Sequence, residues 1–236
     1  MGLTGWKVPK IWKGSSCFII GGGPSWLHQF NIPKELILQV RQKKKPMSCY
    51  SSYLRYLHDK HVIGVNGAFQ LGSWISVCAF MDTAWYEEHE KKLLTQFAGL
   101  RVTTNDAVKQ ISYIKNHIKY LEPERSKVYG ISNEPGMCAQ NGNSGAFAIN
   151  VAHHLGVKKI YLLGFDMNIV AGVSHFHGEY QDPWTAQIIG THLRCFPDIA
   201  RDAKQYGLEI YNVNPDSAID SFPKVTLDEV IRSEAR

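Results

Sequence analysis

His175 and His177 stand two residues apart in Ser174-His175-Phe176-His177-Gly178-Glu179, a stretch with neither helical nor strand periodicity. Imidazole titrates near neutrality, so either ring can take a proton from an attacking hydroxyl or give one to a leaving group. Side chains two apart on an extended segment point the same way, so the pair can equally share a metal ion or serve structure alone. His153 and His154 fall inside a helical pattern and are read as structural. Two turns have the chemistry of anion cradles. In Gly21-Gly22-Gly23-Pro24-Ser25 the glycines let backbone N–H groups approach phosphate oxygens, and Ser25 can add a hydroxyl. In Asn141-Gly142-Asn143-Ser144-Gly145, Asn143 or Ser144 can cap the apolar helix that follows, which leaves the first-turn N–H groups for an anion. The first turn is neither the dinucleotide fingerprint nor a Walker A loop, since no Gly-Lys-Ser/Thr follows. Each turn alone also fits a plain backbone role, a tight turn or a simple cap. Two in one chain favour a ligand.

Three further polar residues close apolar runs. Asn66 can hydrogen-bond a base or a ribose, and Asp82 can bind ribose hydroxyls or a divalent ion. Asp166 follows Leu163-Gly164-Phe165, and its plainer role is a turn residue that binds backbone amides. The run Arg41-Gln42-Lys43-Lys44-Lys45 is the one charge cluster. It reads as a solvated helix end or as a contact for an anionic acceptor.

These residues need elements to hold them. Short apolar strands are expected at Cys17–Ile20, His61–Val65, Trp74–Phe80, Leu100–Thr103, Lys159–Leu163 and Glu209–Val213. Helices are expected at Ile32–Lys44, Thr83–Phe97, Ser144–Leu155 and Pro197–Tyr206, with mixed helix and loop over Ala107–Leu121. Buried strands alternating with helix-length segments predict one Rossmann-like α/β domain over residues 1–236, a mostly parallel sheet with helices on both faces. The stretch Asn168–Gly190 has little periodicity but carries Phe176, Tyr180 and Trp184, which favours an ordered or closing lid.

Composition narrows the function classes. With 236 residues, 44% hydrophobic and 20% charged, the chain is ordinary globular protein, long enough for one large core. A net charge of +5 suits a phosphate-bearing ligand but is too small to argue for nucleic acid by itself. No apolar run approaches the roughly 20 residues of a spanning helix, and Met1–Gly14 has no apolar core of a signal peptide. Cys17, Cys49, Cys78, Cys138 and Cys195 are scattered, which predicts reduced thiols and a cytoplasmic protein.

Taken in order, Ile19-Ile20-Gly21-Gly22-Gly23-Pro24-Ser25, Val65-Asn66, Asn143-Ser144-Gly145 and Lys159-Ile160-Tyr161-Leu162-Leu163-Gly164-Phe165-Asp166 resemble the bacterial lipooligosaccharide sialyltransferases. They also resemble archaeal 6-hydroxymethylpterin diphosphokinases and the related DUF115 family, which has phage-encoded members. The resemblance runs from about Cys17 to Asn214 but lives in these short motifs. It implies that Gly22, Gly23, Ser25, Asn66, Ser144 and Gly145 surround the CMP part of a nucleotide-sugar donor, with no metal required. It places a catalytic His on the lid in a Ser-His-aromatic-x-Gly-His context. Here Ser174–Gly178 fits and Glu179 stands in place of the last His, so the base is His177, His175 or Glu179. Asp82, where that family has Asn, leans toward the diphosphokinases, with Mg²⁺ and ATP.

The reading is therefore a metal-independent glycosyltransferase using a CMP- or UDP-sugar. The alternatives are an ATP/Mg-dependent phosphotransferase and a non-catalytic nucleotide-binding protein. The acceptor stays open among a glycan, a modified nucleic-acid base and a small metabolite. No membrane span is expected. A homo-oligomer is compatible with the sequence, and for a phage-encoded member the compartment would be the host cytoplasm.

Overall fold

The computed structural model describes residues 5–110, 117–169, 172–178 and 185–235. The strands are β1 Ser16–Ile20, β2 Val62–Val65, β3 Val77–Phe80, β4 Leu100–Thr103, β5 Lys119–Tyr120, β6 Glu122–Pro123, β7 Met137–Cys138, β8 Lys159–Leu163 and β9 Glu209–Asn212. The helices are α1 Ser25–Gln29, α2 Lys34–Arg41, α3 Thr83–Gln96, α4 Asp106–Gln110, α5 Ser144–Leu155, α6 Ala186–Leu193, α7 Phe196–Tyr206 and α8 Leu227–Glu234. Seven strands form one sheet in the order β5-β4-β3-β2-β1-β8-β9, and every neighbouring pair is parallel. β6 and β7 make a separate short parallel pair.

A parallel sheet needs cover on both faces, and the alternation along β1 supplies it. Phe18 and Ile20 join Trp26 of α1, Val40 of α2, Trp85 of α3 and Leu227 of α8 in one core layer. Cys17 and Ile19 join Phe147 and Val151 of α5 and Phe196 of α7 in the other. The expected Rossmann-like α/β architecture is the one observed. No helix among the described residues is long and apolar enough to cross a membrane.

The differences from expectation are local. The run Trp74–Phe80 becomes a strand only at Val77, because Trp74 turns aside to donate Nε1–H to Ser51 Oγ at 2.9 Å and stacks on His58. Helix α2 starts at Lys34 because the residue before Pro33 is disfavoured in helical conformation. It ends at Arg41, since Lys43 adopts φ 58° and the amides of Lys44 and Lys45 fold back to the Gln39 carbonyl. The stretch expected to be irregular to Gly190 is helical from Ala186, capped by the Thr185 side chain on the Ile188 amide. Residues 170–171 and 179–184, with Glu179 among them, lie outside the described residues.

Candidate functional site

The strand order reverses at β1. From there the chain runs through β2 to β5 on one side and returns to place β8 and β9 on the other. Open α/β sheets bind ligands in the crevice beyond the carboxyl ends of the strands at such a switch point. Gly21 directly follows β1 and Gly164 directly follows β8. A cavity of about 470 Å³ opens there, lined by Gly21, Gly22 and Gly23, by Gly142 to Gly145, and by Asn66, Asp82, Asp166, His175, His177 and His192.

The first turn is closed by packing. A Cβ on Gly21 would lie 2.8 Å from the Gly164 carbonyl, one on Gly22 would lie 2.7 Å from His175 Cδ2, and one on Gly23 would lie 2.5 Å from Asp166 Oδ2. The Gly21 and Gly23 amides donate to the carbonyls of Leu163 and Gly164, and the Gly22 carbonyl accepts from the Phe176 amide at 2.8 Å. Ser25 is absent from the cavity wall, and its amide donates to Asp166 Oδ2 at 3.0 Å. The other Asp166 oxygen accepts from Asn214 Nδ2 at 2.9 Å. Asp166 thereby ties together the starts of α1 and the segment after β9. Burial raises its pKa, against the hydrogen bonds from Ser25 and Asn214.

The second turn is braced from behind and open in front. The Asn141 side chain accepts from the Gly130 amide and donates to the Gly130 carbonyl, both at 2.9 Å. Asn143 caps α5 by accepting from the Ala146 amide at 2.7 Å, while its Nδ2 donates to the His192 carbonyl at 3.3 Å. The amides of Ser144 and Gly145 begin the helix, where no intrahelical partner exists for them. A Cβ on Gly142 would meet nothing within 4 Å. Between the turns sits buried Phe165. A Cβ on Gly145 would touch its ring at 2.8 Å and one on Gly21 at 3.0 Å, so this side chain sets their separation.

The histidine segment makes the third wall. Phe176 points into the core, 1% exposed and edge-on to Trp26, while His175 and His177 on either side of it line the cavity. Their ring centroids are 5.3 Å apart, and Ser174 Oγ lies 2.9 Å from His175 Nδ1. Burial, with added repulsion from His177 and His192, pushes His175 down to about 3. His175 is therefore a neutral ring at neutral pH. His192, on the last turn of α6, is also lowered by burial, and the Gly142 carbonyl that accepts from its ring opposes the shift.

Asn66 sits at the end of β2 with φ 49°, and Asp82 caps α3 through Trp85 N–H···Oδ1 at 2.6 Å. Among the described residues five non-glycine positions have positive φ. Asn66 and Met167 line the cavity and Asn141 adjoins it, so backbone strain gathers at this site. The geometry thus brings together every described candidate from the sequence except Ser25. His192, Phe165 and Met167 were missed. His192 had one legible signal, a histidine just beyond the lid stretch. Among the described residues no three His, Cys, Asp or Glu side chains cluster as a metal site.

No protein-family model matches this sequence, and no curated protein is detectably similar to it. A solved structure of the sialyltransferase CstII from Campylobacter jejuni, in complex with the substrate analogue cytidine-5'-monophosphate, is similar at a TM-score of 0.46 with 18% identity. That likeness covers 91% of this chain and 86% of the other.

Proposed function

We propose that the protein is a glycosyltransferase that takes a CMP- or UDP-sugar and needs no metal for the transfer. The observation that carries this reading is one cavity at the switch point, walled by Ser144 and Gly145 at the start of α5, by Gly22 and by three imidazoles. The order of motifs, which resembles the sialyltransferases, supports it independently. In the reaction an acceptor hydroxyl attacks the anomeric carbon and the bond from that carbon to the phosphate oxygen breaks. The hydroxyl proton passes to an imidazole, and the nucleotide leaves as its phosphate. The α5 amides hold the departing charge by preorganised hydrogen bonds.

His177 is the proposed base. His175 presses its Cδ2 edge on Gly22 with its Nδ1 at Ser174, which suits a packing and donor-shaping part better. A phosphotransferase would place Mg²⁺ on Asp82 and Asp166. Both Asp166 oxygens and one Asp82 oxygen already hold backbone or Asn214 groups, which is why the glycosyl reading stands first.

The test is a thermal-shift screen with CMP, UDP, GDP and ATP, with Mg²⁺ or with EDTA. CMP or UDP should raise the melting temperature equally in both conditions. A shift with ATP alone, lost in EDTA, would transfer the assignment to the phosphotransferase. With a responding sugar nucleotide in hand, His177→Ala should lower turnover by roughly 10²–10⁴ while donor affinity stays within a few fold.

A further inference from the structure

At the end of α2 the chain carries Arg41, Lys43, Lys44 and Lys45, all exposed. The left-handed turn at Lys43 and the paired amide bonds to the Gln39 carbonyl fix this segment's backbone. A helix C-terminus attracts a cation in its last turn, which accounts for Arg41. Three lysines beyond it add mutual repulsion. Among the described residues none of the four forms an ion pair, and the nearby Glu35 accepts from Gln39 instead.

An apolar group stands beside this charge. Lys34, Leu38 and Arg41 fall on one face of α2 by helical spacing, and Leu38 is 49% exposed. The patch also adjoins the cavity. A Cβ on Gly178 would lie 2.2 Å from the Arg41 carbonyl, so the segment carrying His177 passes directly over the end of α2 and requires glycine there.

We infer that this corner of the molecule docks on an anionic lipid surface, with Leu38 entering the headgroup layer and Arg41, Lys43, Lys44 and Lys45 meeting the lipid phosphates. Charge complementarity names the partner as polyanionic. The exposed Leu38 in the middle of the cations favours a bilayer over a phosphodiester chain, which gives a leucine no apolar layer to enter. The inference is independent of the reaction proposed above. It places the His177 wall of the cavity beside the membrane.

The experiment is co-sedimentation of the full chain with vesicles of phosphatidylcholine alone and of phosphatidylcholine mixed with phosphatidylglycerol. Binding to the mixed vesicles should be at least about tenfold stronger and should fade as salt is raised. Replacing Lys43, Lys44 and Lys45 together by Gln should abolish the preference. Leu38→Ser should weaken binding severalfold with no change in charge. All these positions are exposed, so the melting temperature serves as the check on folding. Equal binding to both vesicles, no binding to either, or full binding by the triple Gln variant overturns the inference. So does salt-sensitive binding of a fluorescein-labelled oligothymidylate by a chain that ignores vesicles, which would make the patch a nucleic-acid contact. A nucleotide response in the thermal screen is unaffected by any of these outcomes.

Discussion

The two glycine-rich turns look alike in sequence and differ in physics. In Gly21–Gly23 the small residues exist because Gly164, His175 and Asp166 press against them, and two of the three amides already serve β8 and the segment after it. In Asn141–Gly145 the turn is held by the Gly130 backbone and the His192 carbonyl, and Ser144 and Gly145, whose amides have no intrahelical partner, line the cavity. One turn is a close-packed joint, and the other offers helix-start amides without intrahelical partners, where we propose that the anion sits. A run of three glycines is therefore the weaker indicator of phosphate. The helix start with a side-chain cap and uncommitted first-turn amides is the stronger one.

The sharpest way to break this contrast is Gly23→Ala. The new methyl would meet the Asp166 carboxylate at 2.5 Å and the Gly164 carbonyl at 2.8 Å, and neither can move freely. A loss of about 2–3 kcal/mol, or roughly 5–10 °C in Tm, is expected. An unchanged thermal unfolding curve would mean that the first turn is not packed as described. Ser144→Ala probes the other turn with the opposite signature. Stability should hold within about 0.5 kcal/mol while CMP or UDP affinity, measured by calorimetric titration, falls roughly five- to tenfold through one lost hydrogen bond. The substitution keeps the backbone amide and removes only the hydroxyl, so unchanged affinity would mean that the Ser144 hydroxyl does not reach the anion.

The smallest effect is in pH. An unfolded His175 binds its proton near pH 6.5, whereas the folded ring resists it down to about 3. Its contribution to stability is complete above the unfolded value and is lost as pH falls below about 6.5. Between pH 7 and pH 6 this amounts to roughly 0.7 kcal/mol, so His175→Asn should flatten denaturant midpoints over that interval. His153, which burial lowers to about 4, lies away from the cavity wall and gives the control, since its replacement should flatten the profile without touching the site. A slope that survives both replacements would assign the acid sensitivity to other groups.

Much of the frame was legible because strong local patterns coincide with it. The apolar runs Cys17–Ile20 and Lys159–Leu163 became adjacent strands, and the Asn-capped apolar helix appeared where its turn predicted it. The two imidazoles of His175 and His177 also line one cavity, as their spacing of two on an extended segment predicted, whereas the burial of Phe176 between them was not read from the sequence. What stayed hidden depends on contacts between distant segments. Helix α1 has five residues, too few for a period to show. The reason for Gly22 lies at His175, and the reason for Gly178 at Arg41. His192 joins the cavity only because α6 folds its last turn against Gly142, a contact that no spacing in the sequence announces.

The position of β1 has a further consequence, for how the protein is made. Cys17 pairs with Ile160 and Phe18 with Tyr161, so β1, synthesised well before β8, waits for that strand before its second edge is covered. Until then Cys17-Phe18-Ile19-Ile20 presents an unpaired apolar edge to any other chain in the cell. Closing a contact of such long sequence separation is slow, because the entropy of the loop must be lost before the pairing returns anything. One wall of the crevice exists early in synthesis and the other late. The cavity is therefore incomplete during the vulnerable interval, and protection of that edge falls to chaperones or to speed.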